Sequence, residues 1–260
     1  MSEGSGAAAI TAAIEASAGP ALCAYVTAGF PSRQAFPEIL RSVAAAADLV
    51  EVGVPFTDPM ADGLTIQASN RAALSAGVTL EWIFDLLEAE HRHLEAPLLL
   101  MGYYNPFLIH GLERLASSLA RSGVAGLIVP DLPLEESEPI REALAPGSRA
   151  LVQMVAPTTP PPRLQRLTAA SAGFVYAVTT TGVTGQVDLD PGDLDHLARV
   201  KRAARLPVLA GFGIRSRRQV AAVARLVDGV VVGSALIEVI EVGEDPGEFL
   251  RGLRNGEVPA

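Results

Sequence analysis

The chain has 260 residues, 49% apolar and 19% charged, with 29 acidic against 20 basic side chains and a formal net charge of −9. An apolar share of this size supports a substantial core and argues against disorder. The acidic balance argues against nucleic acid, whose recognition needs a basic face. The one cysteine, Cys23, excludes an internal disulfide and fits a reducing compartment.

The chain opens on an Ala/Gly/Ser-rich stretch of about twenty residues that reads as an N-terminal helix. Its first basic residue is Arg33, so it lacks the charged start of a signal peptide. Uncharged stretches such as 96–112 contain Pro, Gly, Asn or His and do not read as membrane spans. The expectation is a cytoplasmic protein with neither membrane nor nucleic acid as partner. From residue 21 onward, short apolar runs end in Gly, Pro or Asp: ALCAYVTAG, ADLVEVGVP, APLLLMGYY, VAGLIVPDLP, ALVQMVAP, GFVYAV, LPVLAGFG and DGVVVGSA. Between them lie segments with helical spacing, such as Ile39, Val43 and Ala46, then Leu112, Leu115, Leu119 and Val124, then Leu194, Leu197 and Val200. ADGLTIQASNRAALSAG precedes VTLEWIFDLLEAE, so the second unit carries an additional helix. Near-continuous apolar strands are those buried on both faces. Eight strand–helix units over this length predict a single (β/α)8 TIM barrel across residues 1–260, with an added N-terminal helix and extra helices in the βα loops. A doubly wound open sheet is the alternative, weakened because no dinucleotide-type glycine fingerprint follows the first strand.

In such barrels the chemistry sits at the C-terminal ends of the strands. Glu51 lies within the second strand, and Asp58 and Asp62 lie in the loop that follows. A carboxylate in an apolar strand is costly unless paired or protonated, and burial raises its pKa toward the range that serves proton transfer near neutrality. The plainer readings are that Glu51 caps a neighbouring loop, that Asp62 caps a helix starting at Gly63, and that Asp58 is a turn residue. Asp131 follows the fourth strand and Tyr176 lies in the sixth. The stretch TTTGVTGQVDLDPGD after the sixth strand is long and polar and reads as a mobile loop.

AGFGIRS and VVGSAL follow the seventh and eighth strands, where barrels often bind phosphate. Gly211, Gly213, Gly233 and Ser234 suit backbone approach to an anion, with Gly185 closing the cradle. Tight strand–helix packing is the alternative for these glycines. Arg215, Arg217 and Arg218 either steer the anion or form a solvated helix start. The single lysine, Lys201, lies on a helix, so a Schiff-base mechanism has no well-placed amine. His91, His93, His110 and His196 are not strand-end residues, and a metal cluster is not expected. The residues therefore point to acid–base chemistry on a phosphorylated small molecule, with no metal or covalent cofactor.

YVTAGFP, EVGVPFTDPMADG, IQASNRAALSAG, MGYYNPF, GLIVPDLPLEES, GFVYAV, GVTG, GFGI and GSALIE occur in this order between Ala24 and Ile240. Together they resemble the tryptophan synthase alpha subunit. The resemblance implies cleavage of indole-3-glycerol phosphate to indole and D-glyceraldehyde 3-phosphate, and a beta subunit as partner in an α2β2 tetramer. It makes Glu51 and Asp62 the catalytic pair. It places Tyr176, Tyr103 and Tyr25 around the indole, Thr184 on a loop that closes toward Asp62, and Gly185, Phe212, Gly213, Gly233 and Ser234 at the phosphate. Leu64 stands where the family usually has proline. The alternatives are a free-standing lyase that releases indole, and a non-catalytic subunit that activates a beta-type partner.

Overall fold

The computed structural model describes residues 5–179, 191–211 and 213–255. Eight parallel strands close into a barrel in strictly sequential order: β1 (Ala21–Thr27), β2 (Leu49–Gly53), β3 (Leu98–Met101), β4 (Val124–Ile128), β5 (Ala150–Val155), β6 (Val175–Val178), β7 (Val208–Gly211) and β8 (Gly229–Val232). Twelve α-helices accompany them among the described residues: α1 (Gly6–Glu15), α2 (Phe36–Ala44), α3 (Leu64–Ser75), α4 (Leu80–Glu90), α5 (Tyr104–His110), α6 (Leu112–Arg121), α7 (Glu138–Leu144), α8 (Pro161–Ala170), α9 (Pro191–Ala203), α10 (Arg217–Val223), α11 (Ser234–Glu241) and α12 (Pro246–Asn255). The predicted (β/α)8 barrel is thus observed, with α1 as the added N-terminal helix and α3 and α5 as extra helices in the loops after β2 and β3. No helix among the described residues is long and apolar enough to cross a membrane.

Two predicted helical stripes run too far. Val124 is the first residue of β4, and Ala46 lies past the end of α2. Gly123, at φ +66°, turns the chain out of the α6 direction, a conformation open to glycine at little cost. Val124 follows Leu119 by five residues, a step that already departs from the helical repeat.

Strand residues alternate between two cores, which fixes what faces the site. Leu22, Ala24 and Val26 of β1 point outward with Val50, Val52, Leu98 and Leu100, against the helices. Cys23, Leu49, Leu99, Ile128, Tyr176 and Leu209 point inward and fill the barrel. Helix α1 closes the N-terminal end: Ile10 and Ile14 join the interior cluster, and Thr11 donates to the Gly173 carbonyl at 2.8 Å. The opposite end stays open for chemistry. Two glycines there are required by packing. A Cβ on Gly53 would collide with the Tyr25 hydroxyl, and one on Gly211 with the Tyr176 ring. Gly211 thereby makes room for an aromatic ring, which is the packing alternative for this glycine.

Candidate active site

Glu51 sits in the middle of β2, paired in register with Tyr25 of β1 and Leu99 of β3. It is fully buried. Its Oε1 accepts a hydrogen bond from the Cys23 thiol at 3.3 Å, and its Oε2 has no hydrogen-bond partner among the described residues. Burial lifts its carboxyl to about 7, against a small downward pull from the Cys23 thiol. No basic side chain forms an ion pair with it among the described residues, so little favours its charged form.

Asp62 lies in the loop after β2, two residues before α3. The helix is capped at Gly63, with no side-chain cap, so the reading of Asp62 as a helix cap is not observed. Its carboxylate turns to α3 instead, where Asn70 Nδ2 donates to Oδ2 at 3.2 Å. The Asp62 carbonyl accepts from Gln67 Nε2 at 2.9 Å. Partial burial raises its carboxyl to about 6, and the Asn70 bond works against that rise. Asp58 accepts from its neighbour Thr57 at 2.6 Å.

Three tyrosines stand near these carboxylates. Tyr103 accepts the Ala61 backbone N–H at 2.8 Å and stacks on Phe56 at 5.0 Å, which fixes the residue before Asp62. Burial pushes its phenol up to about 12, with added repulsion from Asp62 and Asp131. Burial raises the Tyr25 phenol further, and the charges of Asp62 and Glu51 add to it. Tyr176 is buried against Phe174, and its phenol is raised by burial first and the Glu51 charge second. All three phenols remain protonated across the neutral range. Tyr25 feels both carboxylates, so β1, β2 and the loop after β2 converge on one electrostatic unit.

A cavity of about 800 Å³ opens at the C-terminal end of the barrel. Asp62, Gly63, Asp131, Arg163 and Thr179 are among its lining residues, whereas Glu51 is not. Asp131 accepts the Tyr104 backbone N–H at 2.9 Å and so starts α5. On the far side of the mouth, Gly213 adopts φ +83°. Gly233 immediately precedes α11, and Ser234 is its first residue. A Cβ on Gly233 would meet only Tyr25, at an ordinary 3.6 Å. Unlike Gly53 and Gly211, this glycine is not demanded by packing among the described residues, which leaves room for the anion reading of its position. Arg215 is not free to hold an anion: it makes a two-pronged ion pair with Glu238 at 2.8 and 2.5 Å, and Thr65 donates to the same carboxylate at 3.3 Å. Thr184, Gly185 and Phe212 lie outside the described residues.

Reading the sequence alone missed three contributors. Cys23 entered only as an excluded disulfide, although it is the hydrogen-bond partner of Glu51. Gln67 and Asn70 were visible in IQASN but had no role, although they clamp Asp62. Lys201 lies away from the strand ends as expected, paired with Asp228 at 2.6 Å.

The tryptophan synthase alpha chain family matches residues 11–252. The chain is 47% identical over 224 residues to the tryptophan synthase alpha chain of Chloroflexus aurantiacus, covering 85% of this chain and 84% of that one. It is 43% identical over 239 residues to the alpha chain of Nitratidesulfovibrio vulgaris, covering 91% and 93%. Among solved structures, a mutant alpha subunit from Pyrococcus furiosus superposes with a TM-score of 0.82 at 36% identity, covering 90% of this chain and 96% of that one. A chain of the mutually activating P. furiosus tryptophan synthase α2β2 complex superposes with a TM-score of 0.83 at 36% identity, covering 90% and 95%. A family match that spans nearly the whole barrel, and takes in both carboxylates, gives the fold and the site one common account: the chain belongs to the tryptophan synthase alpha chain family, lyase-type enzymes of tryptophan synthesis.

Proposed function

We propose that this chain performs the retro-aldol cleavage of indole-3-glycerol phosphate to indole and D-glyceraldehyde 3-phosphate, with Glu51 and Asp62 as its catalytic residues. The observation that carries this reading is the pair itself. Two carboxyl groups, both lifted toward neutrality by burial, stand on adjoining stretches of chain, one on a strand and one on a loop.

The cleavage needs a proton placed on the indole ring carbon that bears the side chain, and a proton taken from the side-chain hydroxyl next to that bond. Glu51 in its protonated form donates to the ring carbon. The resulting carboxylate accepts the hydroxyl proton as the carbon–carbon bond breaks. The bonding electrons return to the indole ring, the aldehyde leaves, and Glu51 ends protonated as it began. Between these steps the ring carries positive charge and its N–H becomes more acidic. The Asp62 carboxylate, aimed by Asn70, accepts that N–H and stabilises the charge. Tyr25, Tyr103 and Tyr176 supply the aromatic surround. Gly213 in the loop after β7, with Gly233 and Ser234 at the start of α11, takes the phosphate. The family likeness supports a beta subunit as the partner that receives indole.

A turnover assay on indole-3-glycerol phosphate, with and without a beta subunit, tests this. The parent chain is expected to release indole, and faster with the beta subunit. Glu51→Gln is expected to bind substrate without cleaving it. Near-normal turnover in Glu51→Gln would remove Glu51 from the mechanism. High turnover indifferent to any beta subunit would mark a free-standing lyase.

A further inference from the structure

We infer that Cys23 is a positioning residue for Glu51: its thiol holds one oxygen of the carboxyl group toward the barrel floor and leaves the other free for proton transfer. The inference rests on the proposed role of Glu51. In the β1–β2 register, Tyr25 lies beside Glu51 and Cys23 beside Leu49. The inward side chain of Cys23 therefore sits one layer below the Glu51 backbone, on the α1 side of the barrel. The carboxyl group leans down to meet it, with Sγ 3.3 Å from Oε1. Both residues are fully buried. Among the described residues Oε2 has no partner, so the thiol is the only hydrogen-bond donor they offer this carboxyl group.

The choice of sulfur matters. A thiol is a weak donor and a hydroxyl a strong one. A strong donor would favour the carboxylate and pull Glu51 back toward the ordinary acid range. A side chain with no donor would leave both oxygens unheld and favour the protonated form further. The thiol lies between, fixing the geometry while leaving Glu51 able to change protonation near neutrality. The titratable groups facing Glu51 are Cys23 and Tyr25 from β1 and Tyr176 from β6, with Asp62 on the loop above. Burial and the Glu51 charge keep Cys23 protonated, and both phenols stay protonated too. Over the neutral range Cys23 is therefore a donor and never a base.

The chain contains a single cysteine, so its S–H stretch in the infrared reports on Cys23 alone. That band is expected to shift as pH is taken through the Glu51 titration in the parent, and to stay fixed over the same range in Glu51→Gln. In turnover, Cys23→Ala is expected to move the pH midpoint assigned to Glu51 upward by roughly half a pH unit, the size a weak donor to a charged group supplies. It should lower kcat several-fold at unchanged KM. Cys23→Ser should move the midpoint downward. An S–H band that ignores pH in the parent, or Cys23→Ala with the parent's pH midpoint, would overturn the inference while leaving Glu51 in its role. Full cleavage by Glu51→Gln would instead overturn the reading of Glu51, and the band would still decide whether the thiol–carboxyl bond exists.

Discussion

The sharpest consequence of the Glu51 environment is that removing its charge should stabilise the fold in a pH-dependent way. In the unfolded chain its carboxyl ionises near 4.5, and in the folded barrel burial holds it protonated up to about 7. Between those values the folded state keeps a proton that the unfolded state gives up. Stability therefore falls as pH rises through this window, and below it the carboxyl costs nothing. The rise from 4.5 to about 7, at about 1.4 kcal/mol per pH unit, corresponds to about 3 kcal/mol of stability lost by neutral pH. Glu51→Gln is nearly isosteric and does not titrate. Its unfolding free energy relative to the parent should climb by about 3 kcal/mol between roughly pH 4.5 and 8, then level off. Any fixed offset from the unsatisfied amide is the same at every pH and does not affect the slope. Groups that titrate equally in both chains cancel in the difference. Urea unfolding of parent and variant across this range measures it directly. A difference that stays constant within about 0.5 kcal/mol would refute the raised Glu51 pKa, and with it the physical basis for Glu51 as a proton shuttle at neutrality.

Two further perturbations separate site from scaffold. Asp62→Asn keeps a group that Asn70 can still bond but loses the negative charge, so kcat should drop by about 10²–10³ with little change in unfolding midpoint; a loss under about tenfold would make Asp62 structural. Gly211→Ala forces a Cβ into the Tyr176 ring and should cost about 1–3 kcal/mol in urea unfolding. Gly233→Ala meets only an ordinary contact with Tyr25, so it should fold normally and instead raise KM for the phosphorylated substrate.

The barrel was legible in the sequence because parallel strands covered on both faces show as unbroken apolar runs, and all eight runs are strands. Glu51 was legible for the same reason, as a charge interrupting such a run. The failures occur where three-dimensional register decides. Cys23 and Glu51 are 28 residues apart and meet only through the pairing of β1 with β2, which no local pattern encodes. Asn70 reaches Asp62 from eight residues downstream because the chain folds back at Gly63 to start α3. The glycines of the mouth looked alike in sequence, yet Gly53 and Gly211 make room for tyrosine rings, whereas a Cβ on Gly233 would make only ordinary contacts with its nearest described neighbour, Tyr25. The helical stripe that ran on to Val124 passed over a signal, since Ser122–Gly123 is an ordinary helix stop.

The order of the two carboxyl pKa values bears on the proposed cleavage more than either value alone. Glu51 is the more deeply buried and is lifted to about 7, while Asp62, partly open at the cavity wall and hydrogen-bonded by Asn70, is lifted only to about 6. Deeper burial therefore favours the protonated form of Glu51 more than that of Asp62. A protonated Glu51 beside an ionised Asp62 is the charge state the proposed cleavage needs at its start, with an acid to protonate the ring carbon and an anion to accept the indole N–H. Equal burial would blur this division, and the reverse order would leave the strand carboxyl charged and the loop carboxyl neutral, with neither able to begin its step. The fold produces the right order from position: a residue in the middle of a barrel strand is desolvated more completely than one on the loop that crosses the mouth. The thiol of Cys23 acts within the same proposed scheme, since a stronger donor at that position would lower Glu51 toward Asp62 and make the two groups less distinct.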